Sequence, residues 1–257
     1  MKTIAIFNQK GGCSKTSTCS NLAAALSLKN KKVLLVDCDP QSNLTSSVGI
    51  DDETLESTIY TLLTSRDISY ESINKVILPT TYKNLSIIPS DITLSDAEIS
   101  LSNTMSRETI LKRILAKVKD EYDFILLDCP PSLGLLSLNA LCAADDIIIP
   151  VSPDFFSLKG IKHLLSTIDA VQSTINPDLK ILGVLLTKYD SRKNLAKNIQ
   201  EILRENFGDS VFNTLIRIDS QIEYSQDNMT PVVFYNHKAK SSEDYTNLAA
   251  EVLKNVK

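Results

Sequence analysis

Gln9-Lys10-Gly11-Gly12-Cys13-Ser14-Lys15-Thr16-Ser17 separates two stretches of different periodicity. Before it, Thr3-Ile4-Ala5-Ile6-Phe7 is an unbroken apolar run of the length of a buried strand. After it, Thr18 to Leu28 carries Leu22, Ala25, Leu26 and Leu28 on what reads as the packed side of a helix. Strand, glycine-containing loop, Lys-Thr and helix together form the layout of a phosphate-binding loop. Gly11 and Gly12 can take positive φ and let backbone N–H groups approach an anion. The dipole and unpaired N–H groups at the start of the following helix add to that attraction, so the nucleotide-binding candidates run from Lys10 through Cys13 and Ser14 to Ser17. Lys15 is placed to reach the terminal phosphates, and the Thr16 hydroxyl to coordinate Mg²⁺.

Further along, apolar runs keep ending in acidic residues. Val33-Leu34-Leu35-Val36 ends in Asp37-Cys38-Asp39, and Phe124-Ile125-Leu126-Leu127 ends in Asp128. Acidic residues at the carboxyl ends of parallel strands face the crevice where such sheets bind ligands. Asp128 has the character of a Walker-B carboxylate that holds Mg²⁺ through water; Asp39 lies near the metal and can orient or deprotonate the attacking water. Other strands are expected at Leu85–Ile88, Ile147–Val151, Lys180–Thr187 and Phe212–Ile216. Helices are expected at Thr54–Leu63, Leu94–Val118, Leu135–Ala144, Leu158–Ile175, Asn194–Asn206 and Ser242–Val256. Alternating strands and helices imply right-handed crossovers: one α/β P-loop domain over residues 1–257, with a mostly parallel sheet and helices on both faces.

The 257 residues suit one large domain. With 43% apolar and 23% charged residues, the composition is that of a soluble globular protein. A net charge of −4 means that any nucleic-acid binding must come from a local patch. No apolar run reaches the roughly 20 residues of a membrane span, and Met1 leads almost at once into the first strand, which leaves no expected signal peptide. Five cysteines without metal-ligand spacing read as reduced thiols of a cytoplasmic protein.

The pattern K-G-G-x-x-K-T, in which Lys10 precedes the glycine pair, resembles the deviant phosphate loop of the ParA/MinD superfamily of ATPases. The resemblance continues through Val36-Asp37-Cys38-Asp39-Pro40-Gln41-Ser42-Asn43 and Leu127-Asp128-Cys129-Pro130-Pro131-Ser132-Leu133-Gly134, both similar to segments of ParA-type partition ATPases. Ile88-Pro89-Ser90, Asn176-Pro177 and Gly183-Val184-Leu185-Leu186-Thr187 match in order, so the likeness covers nearly the whole chain. It implies a homodimer formed with ATP and Mg²⁺, in which Lys10 crosses to the partner's phosphates. It also implies sequence-independent DNA binding, nucleoid association and a ParB-like activating partner, in a cycle that moves plasmid or chromosome copies apart. The likeness is to the short, Soj-like form without an N-terminal helix-turn-helix extension, which implies no operator binding.

Three departures stand out. Ser14 occupies a position where the common loop has glycine. Near Ile216, the family's P-R-N-x-R-L-x-E-A becomes Arg217-Ile218-Asp219-Ser220-Gln221-Ile222-Glu223-Tyr224-Ser225. By resemblance Arg217 and Asp219 approach the adenine, but Asp accepts and cannot donate. Ile218 and Gln221 stand where relatives have arginines, which leaves Lys188, Arg192, Lys193, Lys197 and Arg204 as the candidate DNA patch.

Two other readings compete. A GTPase would read guanine through Thr187-Lys188-Tyr189-Asp190, but Pro131 stands where its D-x-x-G motif needs glycine. A MinD-like membrane-cycling ATPase would use the last helix as its anchor. The Tyr245, Leu248, Ala249, Val252, Leu253 and Val256 stripe there lacks the aromatic and basic character of an interfacial helix.

Overall fold

The computed structural model describes residues 1–154 and 157–256. Seven strands form one sheet: β1 (Lys2–Ile6), β2 (Val33–Asp37), β3 (Leu78–Pro79), β4 (Leu85–Ile88), β5 (Phe124–Asp128), β6 (Asp146–Val151) and β7 (Lys180–Leu186). Their spatial order is β3-β4-β2-β5-β1-β6-β7, and only the short edge strand β3 runs antiparallel. In register, Ile6 lies beside Asp128 and Asp128 beside Asp37. The carboxyl ends of β1, β5 and β2 are therefore level, and the three motif-bearing loops leave the sheet side by side.

The first half of the chain supplies α1 (Lys15–Leu28), α2 (Asn43–Ser46), α3 (Ile59–Thr64), α4 (Tyr70–Val76), α5 (Ala97–Ser100) and α6 (Ile110–Leu115). The second half supplies α7 (Leu135–Ala143), α8 (Ser157–Thr174), α9 (Asn194–Phe207), α10 (Ser220–Asp227), α11 (Val232–Tyr235) and α12 (Lys240–Asn255). Because successive side chains of a strand point to opposite faces, β1 sends Ala5 into one core and Ile4 and Ile6 into the other. The first core includes residues of α3, α6 and α7, and the second is built largely on α1 and α12. Apolar burial on both faces explains why these strands read as unbroken hydrophobic runs.

Several elements differ from the sequence expectation. The helix expected from Leu94 to Val118 is broken into a 3-10 turn, α5 and α6, with Ser106 at φ 54 between them. Leu94, Leu101, Ile110, Leu111, Ile114 and Leu115 are all buried, so the apolar spacing survives the break and conceals it. The strand expected at Phe212–Ile216 is not a strand. Phe212 N–H donates to Val184 and Ile216 N–H to Leu186, and only isolated bridges at Val211 and Arg217 accompany them. Of the helix expected at Thr54–Leu63, only Ile59 onward forms, behind a capping box at Thr58. The short β3, α4, α10 and α11 were not expected.

The apolar stripe of α12 is core. Tyr245, Leu248, Ala249 and Val252 are fully buried, and the helix packs on α1. Among the described residues no helix is long and apolar enough to cross a membrane.

Candidate functional site

The phosphate loop is fixed from below. Asn8 is buried and donates its amide to the Pro150 carbonyl at 2.7 Å, while its own oxygen accepts from Lys10 N–H at 3.0 Å. The Thr187 hydroxyl at the end of β7 donates to the Cys13 carbonyl at 3.1 Å. Gly12 takes φ +72, as a loop that turns N–H groups inward requires. Ser14 caps α1 at φ 70 with no side-chain hydrogen bond to the helix, and its carbonyl accepts from Thr18. The N–H groups of Lys15, Thr16 and Ser17 thus open the helix without intrahelical partners. Lys15 is 7% exposed, and its ammonium donates to the Lys10 carbonyl at 3.1 Å. That contact keeps the charge folded over the loop.

Three carboxylates surround the loop. Asp37 is fully buried and accepts from Asp39 N–H, Thr45 N–H and the Thr45 hydroxyl; burial nevertheless raises its pKa to about 6. Asp39 lies on the loop after β2, where it accepts from Gln41 N–H at 3.0 Å. Asp128 is 1% exposed, and neither of its oxygens has a hydrogen-bond partner of acceptable geometry. Burial and the Asp37 carboxylate push Asp128 well above the usual range, against the pull of Thr16 and Lys15. An orphaned buried carboxylate is costly, and a hydrated cation beside Thr16 would supply the missing donors. The residues present therefore fit Mg²⁺. All five cysteines are buried free thiols, and burial holds them above the usual thiol range.

The phosphate loop and Asp39 line one cleft of about 1090 Å³, with Asp37 and Asp128 buried behind its lining. Gly11, Gly12, Ser14, Lys15, Thr16 and Ser17 form one wall, Asp39 to Gln41 and Pro130 to Ser132 another, and Lys188 with Ile216 to Asp219 the far end. Arg217 and Asp219 line this end, but their side chains are engaged elsewhere. Arg217 donates to both Asp244 oxygens, to Glu243 and to the Lys240 carbonyl. One Asp219 oxygen caps α10 at Gln221 N–H, and the other accepts from Ser241 N–H and its hydroxyl. What these two residues offer a base is backbone and shape.

Lys10 pairs with Asp154, to which the Ser152 hydroxyl also donates. Lys188, Arg192, Lys193, Lys197 and Arg204 are all exposed along and ahead of α9. Arg192 chelates Asp190, and Glu201 and Glu205 are exposed on the same helix, which tempers the patch. That Arg192 pair also occupies the aspartate a guanine-reading motif would need.

Sequence reasoning missed Thr45, Ser90 and Gln226. Gln226 donates from α10 to the Ser17 hydroxyl, and Ser90 N–H donates to the Thr45 hydroxyl. Spacing gives no sign of such contacts between distant segments. Sequence did flag Ser14. A left-handed non-glycine residue costs about 1–2 kcal/mol, against about 0.5–1 kcal/mol for the extra freedom of an unfolded glycine. Ser14→Gly should therefore stabilise the protein slightly, raising the melting midpoint by about 2 °C. A calorimetric scan that shows a lower midpoint would overturn this account of the loop.

The described geometry agrees with three comparisons. A family model described as an AAA domain matches residues 1–181. The chain is 44% identical to the sporulation initiation inhibitor protein Soj of Bacillus subtilis, covering 99% of each protein. It is 42% identical to the chromosome-partitioning ATPase Soj of Treponema pallidum, covering 98% of this chain and 97% of that one. Among solved structures, a cobyrinic acid a,c-diamide synthase from Mycobacterium smegmatis with bound ADP and magnesium superposes with a TM-score of 0.86 at 33% identity, covering 99% of this chain and 94% of that one.

Proposed function

Because this chain belongs to the ParA/Soj-type partition ATPases of the ParA/MinD superfamily, we propose that its ATPase cycle runs through an ATP-bound homodimer that holds DNA without reading sequence. The observation that carries the reading is that Lys15, Thr16 and Asp39 line one cleft at the level ends of β1, β2 and β5, with the orphaned Asp128 buried beside Thr16 and Lys15. Phosphoryl transfer to water needs positioning and charge stabilisation more than covalent help. In this reading the loop N–H groups and Lys15 bind the terminal phosphates, and Asp39 orients the attacking water and takes its proton. Thr16 and Asp128 would hold Mg²⁺, which would supply positive charge against that developing on the phosphate oxygens.

Ile216, Ile218 and Ile222 line the far end of the cleft and offer apolar walls to the base, with Arg217 and Asp219 shaping it from behind. The ParB-like activator and the cytoplasmic, nucleoid-associated setting follow from the same family reading. DNA contact is assigned to Lys188, Arg192, Lys193, Lys197 and Arg204, doubled by dimerisation, since several phosphates must be neutralised together for useful affinity in an acidic protein. The buried stripe of α12 favours this reading over a membrane anchor.

Lys10 provides the test. Its pair with Asp154 is partly exposed, with side chains 33% and 42% accessible, and such a pair is worth less than about 1 kcal/mol. In sedimentation with Mg²⁺ and a slowly hydrolysed ATP analogue, the wild type should run as a dimer. Lys10→Ala should bind the analogue and remain monomeric. A wild type that stays monomeric with the analogue removes the dimer from the proposal.

A further inference from the structure

The loop that carries Asp39 is held at both ends by one buried carboxylate. Asp37 Oδ1 accepts from Asp39 N–H at 3.2 Å. Its Oδ2 accepts from Thr45 N–H at 2.9 Å and from the Thr45 hydroxyl at 2.8 Å. The Thr45 oxygen in turn accepts from Ser90 N–H at 3.0 Å, just past the end of β4. Asp37, Thr45 and Ser90 are each wholly inaccessible to solvent. None of the three lines the cleft, whereas Asp39, Pro40, Gln41 and Asn43, between the two anchored ends, do line it.

We propose that Thr45 is a positioning residue for ATP hydrolysis: its hydroxyl, clipped between Asp37 and the backbone of Ser90, fixes the loop that aims Asp39 at the attacking water. The proposal rests on the reading of Asp39 as the water-orienting carboxylate. A threonine is needed because the hydroxyl is donor and acceptor at once. It satisfies the buried carboxylate and the Ser90 N–H with a single atom. Valine has the same shape and does neither. The loop is also held by Cys38 N–H to the Asp128 carbonyl, by Ser42 N–H to the Asp39 carbonyl and by the buried Leu44 side chain. Ser42 takes the left-handed φ of 49, and its hydroxyl bonds to Asp52, which is itself on a surface turn. Without the hydroxyl, Thr45 N–H would still bond Asp37, but the tie to Ser90 and the second bond to the carboxylate would be lost, and the far end of the loop would be held less firmly. A displacement of about 1 Å at a reacting group can lower turnover about 100-fold. ATP binding depends instead on the loop of residues 10–17, on a separate strand, and would be spared.

The experiment measures kcat, KM, fluorescent-nucleotide affinity and the melting midpoint for Thr45→Ser, Thr45→Val, Asp37→Asn and Asp39→Ala. Thr45→Ser keeps the hydroxyl and should hold kcat within twofold of wild type. Thr45→Val should lose at least about tenfold in kcat, with nucleotide affinity within threefold. Wild-type kcat in Thr45→Val overturns the proposal. So does an equal loss in Thr45→Ser, because the methyl packing would then be what matters. If Thr45→Val does not fold, Asp37→Asn decides: it should show the same fall in kcat at unchanged affinity, and wild-type turnover there overturns the clip. Asp39→Ala separates the two levels. If that variant still hydrolyses ATP, the reading of Asp39 fails. If it is inactive while Thr45→Val turns over normally, only the clip fails.

Discussion

Lys15→Ala should weaken Mg²⁺-ATP binding about 100-fold in calorimetry while leaving the melting transition of the nucleotide-free protein nearly unchanged. A hydrogen bond to a charged group is worth about 1.5–3 kcal/mol, and the upper end applies here because the Lys15 side chain is buried within the loop. The Lys15 ammonium donates to the Lys10 carbonyl. That oxygen also accepts from the Cys13 thiol at 3.2 Å, so removing Lys15 does not strand it. The loss should therefore appear in affinity and not in stability. Unchanged ATP affinity would mean that this loop is not the phosphate site.

Asp39→Ala should separate binding from turnover. A positioned acid or base contributes about 10²- to 10⁴-fold, so kcat should fall by that range while ATP remains bound and the dimer persists. The trapped protein is also the form in which to look for DNA binding. It should retard DNA of any sequence at low salt, and retardation should fall steeply as salt rises. Replacing Arg192, Lys193 and Lys197 together should flatten the salt dependence, because each lost phosphate contact removes about 0.9 from the slope. No retardation at low salt would dismiss the α9 surface as a DNA track.

Legibility in the sequence followed the physics of each element. β1, β2 and β5 were readable because strands covered on both faces leave no polar alternation to misread. The same reasoning failed for the segment from Leu94 to Val118, where buried leucines and isoleucines keep helical spacing across a chain break at Ser106. At the phosphate loop, spacing alone was enough to propose Lys15 and Thr16, because backbone geometry confines such a loop to a short contiguous stretch. The base end was less readable. The partner that draws Arg217 away from the cleft is Asp244 on α12, and no local pattern reports so distant an ion pair. Thr45 was hidden for the same reason, since both of its partners lie on other segments.

The order of strands also governs when this protein can first exist as a binder during synthesis. β1 is made before the other six strands, yet it sits between β5 and β6, pairing Lys2 with Phe124 and Ile4 with Asp146. The phosphate loop hangs from a strand whose two neighbours are the fifth and sixth to be made. Such distant pairings are slow to form and leave apolar edges waiting. Until Val151 has emerged, the nascent chain carries the complete sequence of the loop with only part of the sheet that shapes it. ATP cannot act as a template for the early half. Nucleotide capture is a late event in the birth of the molecule, even though its signature is made before six of the seven strands.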